Sequence, residues 1–282
     1  MQGRIATIGL LVVSMVCTVK GALWPYGTAT PVPGLEGLDM LASDITEGGQ
    51  RMLLTIWSGS ARLHETTWDP IGETWTTPQD MGFDNWDGYA SLSPDQQAMY
   101  YDNHGTIYVD LNGDPADDVA TTLPGGIPHG ISLSEKYAFF AQTTNKDIYS
   151  ADYDPQTPAD FANPQKVIEI STQWTEYTPY ITDDNLNLLF ASDRPGGYGG
   201  LDIWEASWDG EHWSDIINLG VGVNTPHDEY LPFYSVDTAM LYFSRATTGP
   251  LEPSVLMQTE VIPEPSTFLL LGLGAVMVRR KR

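Results

Sequence analysis

Cysteine is almost absent from this sequence. Its only cysteine is Cys17, which lies in an apolar segment near the N-terminus. A disulfide needs two cysteines, so no disulfide within the chain can stabilise the fold. A hydrophobic core must do so instead, and the composition allows one, because 41% of the residues are hydrophobic and 11% are aromatic. The same composition excludes a disordered chain.

Basic residues are also scarce. The chain has 13 Lys and Arg against 37 Asp and Glu, which gives a net charge of −24. Six of the basic residues lie near the chain ends, so the rest of the chain carries a net charge of about −30. A surface this acidic repels nucleic-acid phosphates and anionic lipids, and we therefore exclude DNA and RNA as partners. It attracts divalent cations and basic partners, although the acidity can also serve only solubility outside the cell.

Common catalytic motifs are missing as well. The sequence has no G-x-S-x-G elbow, no H-E-x-x-H, no phosphate-binding loop and no cysteine beyond the N-terminal segment. A pair of carboxylates can still hydrolyse a glycosidic bond, since that reaction needs only two acids at a suitable distance. Among 37 acidic residues such a pair is easily found, so the sequence leaves enzymatic activity open.

The first residues have the layout of a secretory signal peptide. Arg4 precedes an apolar stretch over residues 5–19, and the small residues Gly21 and Ala22 follow it. This stretch is short for a membrane span and lacks the flanks of one. We therefore expect residues 1–22 to be a signal peptide that is removed together with Cys17.

The sequence ends in a short apolar run and a basic tail. Residues 268–278 are apolar and would extend roughly 16 Å as a helix, against roughly 30 Å for the hydrocarbon core of a bilayer. Basic residues fill positions 279–282, and Pro263, Glu264 and Pro265 precede the run. This pattern is typical of a stop-transfer or sorting segment whose basic end stays in the cytoplasm.

Residues 263–282 together resemble the PEP-CTERM sorting signal of Gram-negative bacteria. The resemblance implies that an exosortase-type transpeptidase processes the chain and that the protein reaches the cell surface or the extracellular matrix. It also implies transient anchoring in the inner membrane, with the C-terminal segment as the only membrane contact. An ordinary short C-terminal anchor is the alternative, and it also places the folded part outside.

Between these two segments the chain contains a weak internal repeat of two strands joined by a polar turn. The copies are residues 41–57, 90–103, 130–142, 179–193 and 232–245. Equivalent positions in successive copies are 46, 39, 50 and 53 residues apart. A third strand and usually a fourth follow each copy, and a β-rich unit that recurs at this period is typical of a propeller.

We therefore predict an all-β fold over residues 23–262, a β-propeller of five four-stranded blades, with six blades as the alternative. The last copy has room for only three strands before the sorting segment begins. Residues 28–35 precede the first copy, so we expect them to supply the missing strand and to close the ring. Closure removes the exposed edges that an open sheet would have.

The fourth copy carries the most specific motif. It reads SDRPGG at residues 192–197 and GGLDIW at residues 199–204. These residues resemble the PD40 (WD40-like, TolB-type) propeller repeat. The glycines permit a tight reversal between the second and third strands, and we expect Arg194 and Asp202 to brace that turn.

Acidic and aromatic residues recur just before the innermost strand of the predicted blades. The set is Asp87, Tyr89, His129, Glu176, Tyr177, Glu229 and Tyr230. In a propeller these residues are expected to ring one mouth of the central channel, where they suit sugar rings, a basic peptide or a divalent cation. The alternative is structural: the acids cap loop amides and the aromatic rings pack between blades.

A second candidate site resembles the start of a calcium-binding loop. Asp110, Asn112 and Asp114 have the spacing of its first three ligands. Pro115 stands where such a loop needs glycine, and Thr121 stands where it needs an acid. A hairpin between the third and fourth strands of a blade is the alternative, with occasional calcium binding.

These observations predict an exported binding or scaffold module at the cell surface or in the extracellular matrix. Its partner is expected to be a glycan, a protein or a calcium-bridged surface. The alternative is a carbohydrate-active enzyme, a glycoside hydrolase or lyase, that uses channel-mouth acids such as Glu176 and Glu229. The sequence requires no cofactor, and calcium is the one ion that its acidic residues suggest.

Overall fold

The computed structural model describes seven stretches of the chain. They are residues 26–46, 48–57, 59–83, 87–124, 130–142, 144–246 and 254–262, without the side chains of Ala42 and Asp87. The predicted signal peptide, His129 and the predicted sorting segment lie outside these stretches. No helix within them is long and apolar enough to cross a membrane.

The described strands form five sheets, which we number as blades 1 to 5 in chain order. Blade 1 contains β2 (Met40–Ile45), β3 (Arg51–Trp57), β4 (Ala61–Asp69) and β5 (Thr74–Trp75), and β6 (Gln79–Asp80) also pairs with β4. Blade 2 contains β7 (Asp87–Leu92), β8 (Met99–Asn103), β9 (Thr106–Asp110) and β10 (Val119–Ala120), with a 3₁₀ helix at Pro115–Asp117. Blade 3 contains β11 (Ile131–Leu133), β12 (Tyr137–Ala141), β13 (Ile148–Tyr153) and β14 (Phe161–Lys166).

The last two blades have the same order of strands. Blade 4 contains β15 (Glu176–Ile181), β16 (Asn187–Ser192), β17 (Asp202–Trp208) and β18 (Trp213–Asn218). Blade 5 contains β19 (Glu229–Ser235), β20 (Met240–Ala246), β21 (Ser254–Glu260) and β1 (Thr30–Pro31). The first strands of neighbouring blades contact each other, so they surround a central axis. The fold is the five-bladed β-propeller that the repeat predicted.

The strands inside a blade are much more buried than the strand at its outer edge. Every residue of β16 is buried, because this strand lies between the two neighbouring blades. In β14, the outermost strand of blade 3, only Phe161 is buried and the other residues are exposed. Apolar residues are therefore concentrated in strands such as β16, and polar residues in outer strands such as β14.

Hydrophobic clusters between adjacent blades form the core. Phe139 of blade 3 packs with Phe190 of blade 4. Phe233 and Tyr242 of blade 5 stack with their ring centroids 5.0 Å apart, and they pack against Met52 of blade 1. Each fully buried side chain of this size contributes roughly 1.5–3 kcal/mol to folding. The blades are therefore held to each other by packing and not by disulfides.

A β-bulge interrupts the innermost strand of blades 1, 2, 4 and 5. Equivalent residues of four blades have a left-handed backbone, with φ of 54° for Tyr89, 75° for Gly130, 47° for Thr178 and 52° for Leu231. At the bulge, backbone amides donate hydrogen bonds outside their own sheet. The amide of Tyr89 donates to Thr55 Oγ1 at 2.7 Å, and that of Leu231 donates to Thr178 Oγ1 at 3.0 Å. These bonds join neighbouring blades close to the axis.

An N-terminal strand closes the ring, as predicted. In blade 5, β1 pairs antiparallel with β21, with Thr30 opposite Gln258. Tyr26 and Val261 extend this pairing by one isolated bridge. The fourth strand of the last blade thus comes from the other end of the chain, and it covers the edge that β21 would otherwise expose.

Candidate binding site

The central channel has two different mouths. The five innermost strands end around one cavity, which therefore lies at the same end of all five blades. We call this side of the ring the end face and the opposite side, where the innermost strands begin, the start face. The sequence analysis placed its ligand residues at the start face.

The cavity at the end face has a volume of about 410 Å³, and we call it the funnel. Every blade contributes to its wall the end of its first strand and the turn that follows. Each of these segments carries a Ser or Thr at the equivalent position, and the five are Thr46, Ser93, Ser134, Thr182 and Ser235. A cavity with equivalent groups from all blades is a well-formed concave site of the kind that binds ligands.

The hydroxyl residues make the rim of the funnel rigid. Ser93 donates to Asp95 Oδ1 at 2.6 Å, and its Oγ accepts from the amide of Ala98 at 3.0 Å. Thr182 likewise donates to Asp184 Oδ1 at 2.6 Å and accepts from the amide of Asn187 at 3.1 Å. Such Ser and Thr turns are local and explain why the same short sequence pattern recurs in these blades.

The funnel is acidic. Asp44, Glu135, Asp183 and Asp237 lie in its wall, and the described residues that line it include no Lys, Arg or His. Four carboxylates from different blades therefore face one space without a neutralising side chain in that wall. Field lines from like charges in a concave site add up, so the funnel attracts cations.

Burial and mutual repulsion shift the pKa of two of these carboxyls. Burial raises the pKa of Asp44 from 3.8 to about 6, and the charge of Asp183 adds to this rise. The amides of Leu92 and Ile45 each donate to Asp44 at 2.8 Å and lower its pKa without cancelling the rise. Burial also raises the pKa of Asp183, with further contributions from Asp184 and Asp237. A bound cation would relieve this repulsion.

Two tyrosines contribute aromatic surface to the funnel wall. The hydroxyl of Tyr180 donates to the carbonyl oxygen of Tyr234 at 2.7 Å, which holds the two residues together across blades 4 and 5. Burial raises the pKa of both phenols, so both are neutral at physiological pH. The funnel thus combines aromatic surface with carboxylates, which suits the alkyl stem and the charged end of a basic side chain.

At the start face, Glu176 is fully buried and bonded on both carboxylate oxygens. Its Oε1 accepts from Thr172 Oγ1 at 2.6 Å and from Arg194 Nη2 at 3.1 Å, and its Oε2 accepts from the amide of Thr172 at 2.9 Å. Arg194 also donates to the carbonyl oxygen of Ile170 at 2.8 Å. Arg194 thus joins the start of its own turn to the loop before β15, whereas the sequence had assigned it to the glycine turn alone, and its charged partner is the glutamate itself.

Glu229 repeats this arrangement in blade 5. Its Oε1 accepts from Thr225 Oγ1 at 2.6 Å and from Arg245 Nε at 2.7 Å, and the amide of Thr225 donates to Oε2 at 2.9 Å. Burial raises the pKa of Glu229, although its bonds to Thr225 and Arg245 act in the opposite direction. Both glutamates are 0% exposed. Their carboxylates hold loop amides and arginines and are not open to a ligand in this structure.

The other tyrosines predicted for the start face, all of them in the described part of the chain, do not line an open site. Tyr230 is buried, and it packs with partly buried Tyr89 and Tyr177 in one apolar cluster. Tyr89 lines a second cavity of only about 30 Å³, which has room for little more than one water molecule. The side chain of Asp87 and the whole of His129 lie outside the described residues. A ligand role for this set stays a prediction.

The glycines of the fourth copy serve close packing between blades 4 and 5. A Cβ on Gly199 would lie 2.4 Å from the carbonyl oxygen of His227, and one on Gly200 would lie 2.0 Å from Asp228 Oδ1. Asp202 accepts from the amides of Tyr198 and Gly199 at 2.5 and 3.1 Å, so its predicted bracing of this loop is confirmed.

The calcium-like segment forms a turn at the outer edge of blade 2. Asp110 Oδ1 accepts from the amides of Asn112 and Gly113 at 2.9 and 2.7 Å, and Asn112 Oδ1 accepts from the amide of Asp114 at 2.8 Å. Asp114 in turn caps the short 3₁₀ helix. The described residues contain no group of three or more His, Cys, Asp or Glu arranged to hold a metal ion. Calcium binding stays a prediction.

Sequence reasoning missed the funnel. In three of the repeat copies an aspartate stands in the polar turn, at Asp95, Asp184 and Asp237, and a hydroxyl residue precedes each of them by two positions. What it did not show was which mouth of the channel is open. That depends on side chains from different blades.

Comparison with known proteins identifies the C-terminal segment. Residues 261–282 match the family model described as the PEP-CTERM protein-sorting motif. The chain carries a PEP-CTERM sorting motif. Exosortase recognises this signal, which indicates an exported protein with C-terminal anchoring and processing. The search of curated proteins finds no match.

Solved structures with similar folds have very different sequences. An α-L-arabinofuranosidase from Podospora anserina is 10% identical, with a TM-score of 0.53, over 84% of this chain and 96% of that one. TolB from Acinetobacter baumannii is 17% identical, with a TM-score of 0.45, over 76% of this chain and 64% of that one. A luciferin-regenerating enzyme is 12% identical, with a TM-score of 0.47, over 79% and 77% of the two chains. At these identities the likeness concerns the fold alone.

Proposed function

We propose that this protein is a binding module of the cell surface or extracellular matrix of a Gram-negative bacterium, and that its ligand site is the funnel. The ligand is a cationic segment, such as a Lys- or Arg-rich stretch of a surface protein. The observation that carries this proposal is the composition of the funnel wall: carboxylates from several blades and two tyrosines, without a basic side chain among its described residues.

The position of the carboxylates favours an extended ligand with several charges. Asp44, Glu135, Asp183 and Asp237 belong to blades 1, 3, 4 and 5, so they surround the axis instead of meeting at one point. A polycation can contact several of them at once, whereas one divalent ion needs its ligands within about 2.6 Å. Association through calcium ions that bridge the wider acidic surface to a partner is a different mechanism. The experiment below separates it from funnel binding by comparing calcium with a chelator.

The alternative of a glycoside hydrolase receives no support from the residues on which it was based. A glycosidase needs one carboxyl to donate a proton and another to act as base or nucleophile, both in contact with the sugar. Glu176 and Glu229 are instead buried in ion pairs with Arg194 and Arg245. Binding without turnover is therefore the function that we propose.

An array of basic peptides and polysaccharides tests the proposal, with the exported protein applied once with calcium and once with a chelator. We expect retention on Lys- and Arg-rich peptides in both conditions. The variant Asp183→Asn/Asp237→Asn removes two charges from the funnel and should lose this retention. The matched control is Asp160→Asn/Glu169→Gln, which removes two exposed charges outside the funnel wall and should leave retention unchanged.

Other outcomes contradict the proposal in different ways. Equal loss in the control variant would mean that net charge and not the funnel binds the peptides. Retention only with calcium would favour association through bridging ions, and selective retention on a polysaccharide would replace the basic segment with a glycan.

A further inference from the structure

The small cavity of about 30 Å³ continues the funnel along the axis of the ring. Ser91, Ser132 and Tyr180 line both spaces. In every blade the lining of the small cavity ends at or before the residue where the lining of the funnel begins. The small cavity therefore lies between the funnel and the start face, and we call it the axial pocket.

Three serines from blades 1, 2 and 3 give the axial pocket hydrogen-bond acceptors. They are Ser43, Ser91 and Ser132. The hydroxyl of Ser91 donates to Asp44 Oδ2 at 3.4 Å, and Ser132 Oγ accepts from the amide of Ile181 at 3.0 Å. A hydroxyl oxygen has two acceptor lone pairs, so each serine can accept a further bond from a donor in the pocket.

The charge next to the axial pocket is negative. Asp44 is bonded to Ser91 and lies in the funnel wall, directly beside the pocket. The described residues that line the pocket include no Lys, Arg or His. A positively charged donor in the pocket would therefore be attracted by Asp44 and would in turn favour the charged form of that carboxyl.

The size of the axial pocket distinguishes between the two basic side chains. Its volume is close to that of one water molecule. The ammonium group of lysine is compact and carries three donors, whereas the guanidinium of arginine is a planar fork with five N–H groups. The pocket therefore has room for the end of a lysine side chain and not for that of an arginine.

The funnel is the favoured way into the axial pocket. On the side of the start face, Leu231 and Tyr89 line the pocket and belong to an apolar cluster. An ammonium group that passed this cluster would lose water without gaining hydrogen bonds. From the funnel it passes carboxylates instead, and the alkyl stem of a lysine can lie against Tyr180.

We propose that the axial pocket binds the ammonium group of one lysine side chain, which enters end-on from the funnel, and that the funnel therefore prefers lysine to arginine. The ammonium group donates to the serine hydroxyls and Asp44 balances its charge. Other lysines of the same segment meet the carboxylates of the funnel wall. This inference rests on the proposed function, because it names the kind of cationic segment that the funnel binds.

Calorimetric titration of the exported protein with three peptides of equal charge tests the preference. The peptides are tetralysine, tetraarginine and a tetralysine whose side-chain nitrogens are trimethylated. Trimethylation keeps the charge and the stem but removes the three donors and enlarges the group. We expect tetralysine to bind at least about tenfold more tightly than either of the others, because only its ammonium group fits the pocket and donates there.

Variants that fill the axial pocket test its location. Ser132→Thr and Ser91→Thr each keep the hydroxyl and add a methyl group at a residue that lines the pocket. We expect each of them to bind tetralysine only as tightly as tetraarginine. The matched control is Ser150→Thr, at a partly buried serine of blade 3 that lines neither space, and it should keep the preference. Melting temperatures identify any variant that does not fold, and the other pocket variant then gives the result.

The outcomes separate this inference from the proposed function. Equal affinity for the three peptides would overturn the axial pocket as a lysine site and leave the funnel as a general site for cations. A preference for tetralysine that persists in a folded pocket variant would also overturn it. Binding of none of the peptides would contradict the proposed function, and the inference would fail with it.

Discussion

At the scale of single residues, the same chemical group has opposite roles at the two faces of the ring. Glu176 and Glu229 at the start face each meet an arginine and a threonine and are buried. Asp183 and Asp237 at the end face line a cavity without basic side chains among its described residues. The partners of a carboxylate, and not its position before or after a strand, decide which of the two roles it has.

The glutamate–arginine pairs make a prediction about stability. Glu229→Gln leaves the guanidinium of Arg245 buried without a counter-charge, and we expect it to lower the free energy of unfolding by about 3–5 kcal/mol. The control is Glu65→Gln, which breaks the pair of Glu65 with Arg51, whose side chains are both 40% exposed. That change should cost at most about 1 kcal/mol. Denaturant titration measures both, and equal losses would contradict a structural role for Glu229.

The pKa of Asp44 makes a prediction about pH. The folded chain holds a proton on Asp44 up to a pH of about 6, whereas the unfolded carboxyl releases it near 3.8. The folded state therefore binds more protons between these values, and the contribution of Asp44 to stability falls as pH rises through this window. We expect Asp44→Asn to remove this decline. Melting temperatures of both proteins at pH 4 to 7 check it, and parallel curves would contradict the assignment.

At the scale of elements, the blades depend on close contacts beside the axis. Gly130 has a φ of 75°, and a Cβ there would lie 2.6 Å from the carbonyl oxygen of Tyr89 in the neighbouring blade. Gly82 has a similar φ of 84°, but a Cβ there would meet nothing within 4 Å. The two glycines therefore separate the cost of a left-handed backbone from the cost of a clash.

We expect Gly130→Ala to destabilise the fold far more than Gly82→Ala. The left-handed conformation alone costs an alanine about 1–2 kcal/mol, which applies to both variants. Gly130→Ala must in addition push two blades apart and so disturb the packing between them. Thermal unfolding of the two variants measures the difference. Similar melting temperatures would mean that the backbones near Gly130 and Tyr89 move apart at little cost in stability.

The closing strand makes a second prediction at this scale. Removing residues 26–32 takes away β1 and exposes the edge of β21 together with the apolar surface that Val32 covers. We expect this truncated chain to aggregate or to melt at a much lower temperature. A chain that begins at Tyr26 keeps the strand and serves as the control. Equal melting and equal monomer content in size-exclusion chromatography would show that closure is dispensable.

The sequence predicted the architecture better than the site, and the reason is physical. A blade is a local unit, so its turns and apolar strands recur along the chain and can be counted. The burial of Glu176 depends on Arg194, which lies in the next strand's loop, and the glycines at 199 and 200 depend on a loop of the next blade. The glycine contacts follow from the packing of two blades, and although a glutamate and an arginine recur in blades 4 and 5, one sequence does not show that they pair.

At the scale of the whole molecule, an acidic chain combines one funnel with a sorting signal. The chain has a net charge of −24, four carboxylates lie in its funnel wall, and the sorting motif occupies residues 261–282. The fold itself is shared with proteins of very different sequence, so it does not choose among functions. The composition of the funnel does distinguish among functions, because it favours cations over anions and extended ligands over single ions.

Hydrogen exchange of the exported protein, with and without a tetralysine peptide, tests the central claim most directly, because it locates the site. We predict that the peptide slows exchange in the turns that line the funnel, at residues 91–96, 132–135, 181–185 and 234–237. Loops of the start face, at residues 172–176 and 225–229, should be unchanged. Slower exchange confined to those start-face loops, or no change at either face, would contradict the account.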